Sequence, residues 1–237
     1  MSGVTEFISF PVSPGVKPED PANEPGAALL DHFRAAKQQA GYLSSAWGRT
    51  VEDEGRIVWV IDWKDAHSGT GSTATTLSPF LPTDNDNQPS ITTLFATLTP
   101  PLANTLPTNP ITELFTPSFP TTISGHEAAT ATATAAVHEN MISFRRELLE
   151  NLPAGTAGPV SFSMGQVERP GVRKHAGSPS GEAWGMVVVA GWESLEAHLE
   201  AKKTEAFGRG IQPLREVMLK GVGGEVVMRH VVFRGVE

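Results

Sequence analysis

Trp184-Gly-Met-Val-Val-Val-Ala-Gly-Trp192, running into Glu193-Ser-Leu-Glu-Ala-His198, is the stretch that decides the fold. An apolar, β-branched run of this length reads as a buried strand, and Ser194 is a good N-cap for a helix starting directly after it. The same sentence occurs upstream: Arg56-Ile-Val-Trp-Val-Ile-Asp-Trp63 leads into Lys64-Asp-Ala-His67. Each copy is a strand closed by Trp, followed by an acidic residue, Ala and His. A second echo has a constant spacing of 112 residues, setting Phe95, Pro101, Leu102 and Glu113 against Phe207, Pro213, Leu214 and Glu225. Two copies of one α+β unit are therefore expected, one over 1–124 and one over 125–237.

Working outward, Val4 to Val12 alternates as a strand, and Ala27 to Ala40 carries an apolar stripe ended by Gly41. Tyr42 to Glu54 and Arg56 to Trp63 form two strands around Glu54-Gly55. Residues 68–90, rich in Gly, Ser, Thr and Pro, read as a loop insertion. A weak helix over Ile91 to Leu98 and a closing strand over Ile111 to Thr116 complete the first unit. In the second, Val137, Met141, Phe144 and Leu148 recur at helical spacing, with Asn151 and Pro153 as the stop. Strands over Pro159 to Arg169 and Ala183 to Trp192 follow, then helix through Lys220 and a last strand, Glu225 to Arg234. The result is two ferredoxin-like β-α-β-β-α-β units, whose bare sheet faces would pack together as an intramolecular dimeric α/β barrel.

The chain has 237 residues with a net charge of −8, from 18 basic and 26 acidic side chains. That balance argues against a nucleic-acid partner, which needs a basic face. No run is long and apolar enough for a transmembrane helix, and the N-terminus lacks a signal-peptide pattern, so a cytoplasmic protein without membrane partners is expected. With no Cys, disulfides and thiolate metal sites are excluded. The seven His are scattered with no pair at i, i+4, so no metal site is expected.

The strand-Trp-acidic-Ala-His-helix pattern inside tandem units resembles the antibiotic-biosynthesis-monooxygenase-type dimeric α/β-barrel superfamily, and more closely its fungal tandem members. The resemblance implies cofactor-independent oxygenation or cyclisation of a hydrophobic or aromatic small molecule in secondary metabolism. It also implies a catalytic His early in the second helix, a position matched by His198 and, two residues nearer its Trp, by His67. Haem binding, known in the superfamily, has no second supporting feature in the sequence, and no cofactor is expected.

An imidazole suits proton abstraction near neutral pH, which makes His198, His67 and His230 the candidate bases. Each also has a structural reading: a solvated or capped helix residue for the first two, a satisfied core His for His230. Trp47, Trp59 and Trp184 are candidates to stack on a substrate ring, against the alternative that large aromatics fill the core. Asp62, opposite Trp59 and Trp63 on its strand, needs a partner or water: it is a candidate for the substrate site, where it could orient a His, or it sits at the strand's exposed end. Arg49 is placed to bind an anionic group on the substrate or to be solvated. A non-catalytic ligand-binding protein is the competing class, and the chain is expected to be a monomer or homodimer.

Overall fold

A computed structural model describes residues 3–66, 68, 75–83, 91–102, 105–121, 127–221 and 227–237. His67, Glu225 and most of the 68–90 insertion lie outside that set. The chain divides into two compact units, Met1–Thr108 with His230–Glu237, and Asn109–Arg229.

Unit one contains β1 (Val4–Pro11), α1 (Glu24–Ala35), β2 (Tyr42–Arg49), β3 (Arg56–Trp63) and β4 (Thr92–Ala96). Its antiparallel sheet has the order β4-β1-β3-β2, the ferredoxin-like arrangement. Asn23 caps α1 by accepting from the Gly26 N–H at 2.7 Å, and Pro25 sits in the first turn, where its missing N–H costs nothing. Val4, Ile8 and Phe10 from β1 and Ile57, Trp59, Ile61 and Trp63 from β3 point to one face and pack with Leu29 and Phe33 of α1. Each such side chain contributes about 1.5–3 kcal/mol on burial.

The region read as a weak helix, Ile91 to Leu98, instead holds β4, paired with β1 from Thr5↔Ala96 to Ser9↔Thr92. Thr92 and Thr93 are β-branched, and β1 offers a ladder that outweighs weak helical spacing. A 3-10 helix, Thr75–Phe80, lies in the insertion.

Unit two contains β5 (Ile111–Phe115), β6 (Ser118–Pro120), α2 (Glu127–Glu150), β7 (Ser161–Arg169), β8 (Arg173–Lys174), β9 (Glu182–Trp192), α3 (Leu195–Ala201) and α4 (Glu205–Val217). Its strand order, β10-β5-β9-β7, repeats that of unit one. The first half of β10 (Met228–Val231), Met228 and Arg229, belongs here. Ile111 to Thr116, read as the closing strand of the first unit, is the opening strand of the second: Ile111 pairs with Trp192 and Phe115 with Val188. The division accordingly falls after Thr108, ahead of the expected 124/125. The Ala/Thr-rich stretch Ala128 to Ala136 is the start of α2 and not a break, as alanine's helix propensity allows. Val137, Met141, Phe144 and Leu148 form its buried stripe, as the spacing implies.

The expected last strand is split. After Val231 the chain runs on to β11 (Arg234–Gly235), which adds to the edge of β2 through Arg234↔Trp47 and Gly235↔Ala46. Gly48 permits this crossing: a Cβ there would stand 2.3 Å from the Val232 carbonyl oxygen. Gly48→Ala is expected to lower the urea midpoint by the equivalent of ~1–3 kcal/mol through forced displacement of the C-terminal segment. An unchanged midpoint would contradict that account.

Candidate functional site

The site is built at the end of β9, where Trp192 and Ala190 share a face with Ile111 and Glu113 of β5. Glu113 lies opposite Ala190, so Trp192 is its diagonal neighbour, within reach of a long side chain. The Trp192 indole Nε1–H donates to Glu113 Oε2 at 3.2 Å. Immediately downstream Ser194 caps α3, its hydroxyl accepting from the Ala197 N–H at 3.1 Å. That start point carries His198 back over Trp192, ring stacked on ring at 4.6 Å between centroids and 21° between planes. His198 Nε2 is then 3.4 Å from the same Glu113 Oε2.

His198 is completely buried and Glu113 nearly so. Burial pushes the Glu113 carboxyl up to about 7, while the Trp192 hydrogen bond and the positive charge of Lys202 pull in the other direction. The buried imidazole lies beside this carboxyl, 3.4 Å away. Such a pair can take a proton from, or return one to, a weak acid.

Unit one repeats half of this arrangement. Trp63 at the end of β3 donates its Nε1–H to Glu6 Oε2 at 2.9 Å, and Glu6 is 2 % exposed. His67, the expected counterpart of His198, lies outside the described residues. Neither glutamate was among the sequence candidates. A signal existed: Val4-Thr5-Glu6-Phe7 and Ile111-Thr112-Glu113-Leu114 are the same strand written twice. The 112-residue echo masked it by matching Glu113 to Glu225. That echo also sets Phe95 of β4 against Phe207 of α4, so it is no structural repeat.

His230 makes a separate pair in unit one, with Nδ1 2.5 Å from Glu52 Oε1 and its backbone N–H donating to both carboxylate oxygens. Burial pushes Glu52 up, but these hydrogen bonds outweigh it and hold the carboxyl below its ordinary value. Asp62 accepts from the Thr5 and Ser44 hydroxyls at 2.7 and 3.0 Å, and burial nevertheless raises its carboxyl above the usual range. Arg49 is held by Glu19 at 2.7 Å and by the Val16 and Glu54 carbonyls. It lines an open groove of about 570 Å³ with Val12, Lys17, Glu19 and Glu54.

Trp47 and Trp59 pair across β2 and β3 on the face covered by α1. Trp184 packs within unit two against Phe119, and His138 of α2 lies beside it. All three Trp rings therefore lie on the helix-covered side of their sheets. Among the described residues no group of three or more His, Asp or Glu is placed to hold a metal ion. Among them, too, no helix is long and apolar enough to cross a membrane.

No family model and no curated protein matches the chain. Solved structures do match it. An anthrone oxidase-like protein, 16% identical, aligns over 100% of this chain and 94% of its own with a TM-score of 0.60. A protein assigned by inference as a chlorite dismutase, 11% identical, aligns over 100% of this chain and 96% of its own with a TM-score of 0.53. The likeness shows the fold: α+β, built of ferredoxin-like units, the class expected from the sequence.

The raised Glu113 carboxyl has a consequence for stability. Below its unfolded value near 4.5 the group is protonated in both states; as pH rises toward about 7, the unfolded chain gains a charge that the folded site resists. Stability is therefore full below the unfolded value and is lost up to the folded one, by ~3 kcal/mol. Glu113→Gln keeps an acceptor for Trp192 and removes the titration. Urea unfolding at pH 5 and pH 8 is expected to show this loss in the natural protein and not in the variant.

Proposed function

We propose that this protein is an enzyme acting without a cofactor on a hydrophobic or aromatic small molecule, by oxygenation or cyclisation, with Glu113 and His198 holding the working proton. The observation that carries the reading is a carboxyl raised to about 7 and set 3.4 Å from a buried imidazole. General acid–base groups work best with pKa values near the operating pH, and burial has moved this carboxyl there. The superfamily fold supports the class of reaction by analogy.

In the oxygenating version, His198 takes a proton from an activated C–H beside an aromatic ring. The substrate carbanion left behind is itself the reductant of dioxygen. One oxygen atom ends in a new C=O and the other leaves as water, with both C–H hydrogens accounted for in that water. Glu113 keeps the imidazole in register and shares the proton until it is returned. Trp192 fixes the carboxylate by its indole bond and the imidazole by stacking.

One fold neighbour is described as anthrone oxidase-like, which makes an anthrone the first substrate to try. Oxygen uptake and quinone absorbance in air measure the reaction. The natural protein is expected to turn the anthrone over with a pH inflection near 7. His198→Ala is expected to lower kcat by roughly 10²–10⁴-fold. Glu113→Gln should lower kcat and remove the inflection.

A non-catalytic ligand-binding protein is the competing reading, and the complete burial of His198 favours it. Under that reading the His198→Ala, Glu113→Gln double variant unfolds more easily but leaves any residual anthrone oxidation unchanged.

A further inference from the structure

On the face of the unit-one sheet turned away from α1, three strands bring oxygen atoms to one point. Asp62 of β3 has Thr5 of β1 and Ser44 of β2 as its direct partners in the two ladders. Both hydroxyls donate to it, Thr5 to Oδ1 at 2.7 Å and Ser44 to Oδ2 at 3.0 Å. Ser44 stands there because β2 is bulged. Tyr42 lies opposite Trp63 and Ser44 opposite Asp62, which leaves Leu43 over, 59 % exposed. Regular pairing would set Leu43 against the carboxylate instead. Bulges of this kind re-aim side chains, and they gather beside functional sites.

The Asp62 carboxylate borders a cavity of about 20 Å³, whose lining includes Ser44, Ser45, Val60 and the buried Leu102 and Leu106. That is room for one particle the size of a water molecule. An ionised carboxylate only accepts, and Ser44 has spent its one proton on it, so both present lone pairs and no donor. The Ser45 hydroxyl is paired with that of Tyr42 at 3.0 Å. No Lys, Arg or His among the described residues pairs with Asp62, and burial raises its carboxyl although both hydroxyl bonds pull it down. A carboxylate taken out of water without a counter-charge costs free energy that a cation beside it recovers. Among the described residues no group of three acids or His is present to hold a divalent ion, and one carboxylate balances one positive charge. Lone pairs, a single negative charge and space for one particle together select for one small cation.

We propose that unit one binds one small monovalent cation (ammonium, sodium or potassium) in this cavity, held by the Asp62 carboxylate and the Ser44 hydroxyl oxygen. The cation is the counter-charge of Asp62 and ties β2 to β3 beside the bulge. The site contains neither Glu113 nor His198, so it stands or falls independently of the catalytic reading.

The test is thermal unfolding of the full-length protein at pH 8 in ammonium, sodium, potassium and choline chloride at equal ionic strength. Choline carries the same charge but is too large for the cavity. At a concentration about five times its Kd, the best small cation should raise the midpoint roughly 2–4 °C above choline, and the gain should saturate. Asp62→Asn, which keeps the shape and removes the charge, should abolish the difference. Asp31→Asn, which removes an exposed carboxylate of α1, should leave it intact. Equal midpoints in all four salts overturn the proposal and leave water as the occupant. A difference that survives Asp62→Asn, or that Asp31→Asn removes, is a general surface effect and overturns it equally. Should Asp62→Asn fail to fold, crystals of the natural protein soaked in thallium(I) acetate decide. An anomalous peak at the Asp62 carboxylate is expected, and its absence overturns the proposal.

Discussion

A carboxylate buried beneath a helix layer is expensive, and in this protein a tryptophan indole holds it in both units. Trp192 donates to Glu113, and Trp63 to Glu6. Desolvating a carboxyl disfavours its charged form, and one neutral donor offsets only part of that penalty. Much else follows from the arrangement. The indole must lie diagonally across from the carboxylate, which sets the first strand of each unit against the third in one register. It also requires that third strand to end on Trp, so the helix after β9 begins close by. His198 comes to lie on the indole because Ser194 starts that helix where it does.

The same constraint links folding to chemistry. A glutamate in water has lost its proton well below neutrality. Here burial holds the carboxyl near 7, and it faces a fully buried imidazole. Proton-transfer capacity and a pH-dependent weakness of the fold are two readings of one desolvation energy. Replacing the glutamate by an amide would relieve the second and remove the first.

Much of the fold was legible because its signals are local and periodic. The two Trp-closed strands and the Val137–Leu148 stripe are patterns of 2.0 and 3.6 residues, and Ser194 is a cap at its expected place. The errors came where a long-range partner decides the outcome. Thr92 to Ala96 becomes a strand because β1 has a free edge beside it, and Ile111 to Phe115 opens a unit because its partner is β9. No window of sequence contains those facts. His198 was legible as a candidate from its place after Trp192, yet its partner Glu113 was not. A buried acid on a strand looks like an exposed one until the opposite strand is known. Alternation along a strand assigns the tryptophans to its two faces, but which face the helices cover emerges only from packing.

The account rests on Glu113 being a proton carrier at neutral pH. Carbon NMR of the protein labelled at the glutamate side-chain carboxyl carbon, with Glu113 assigned by its loss in Glu113→Gln, measures that directly. The account predicts a Glu113 signal that titrates with a midpoint near 7. A midpoint at the ordinary value near 4.5 would contradict it.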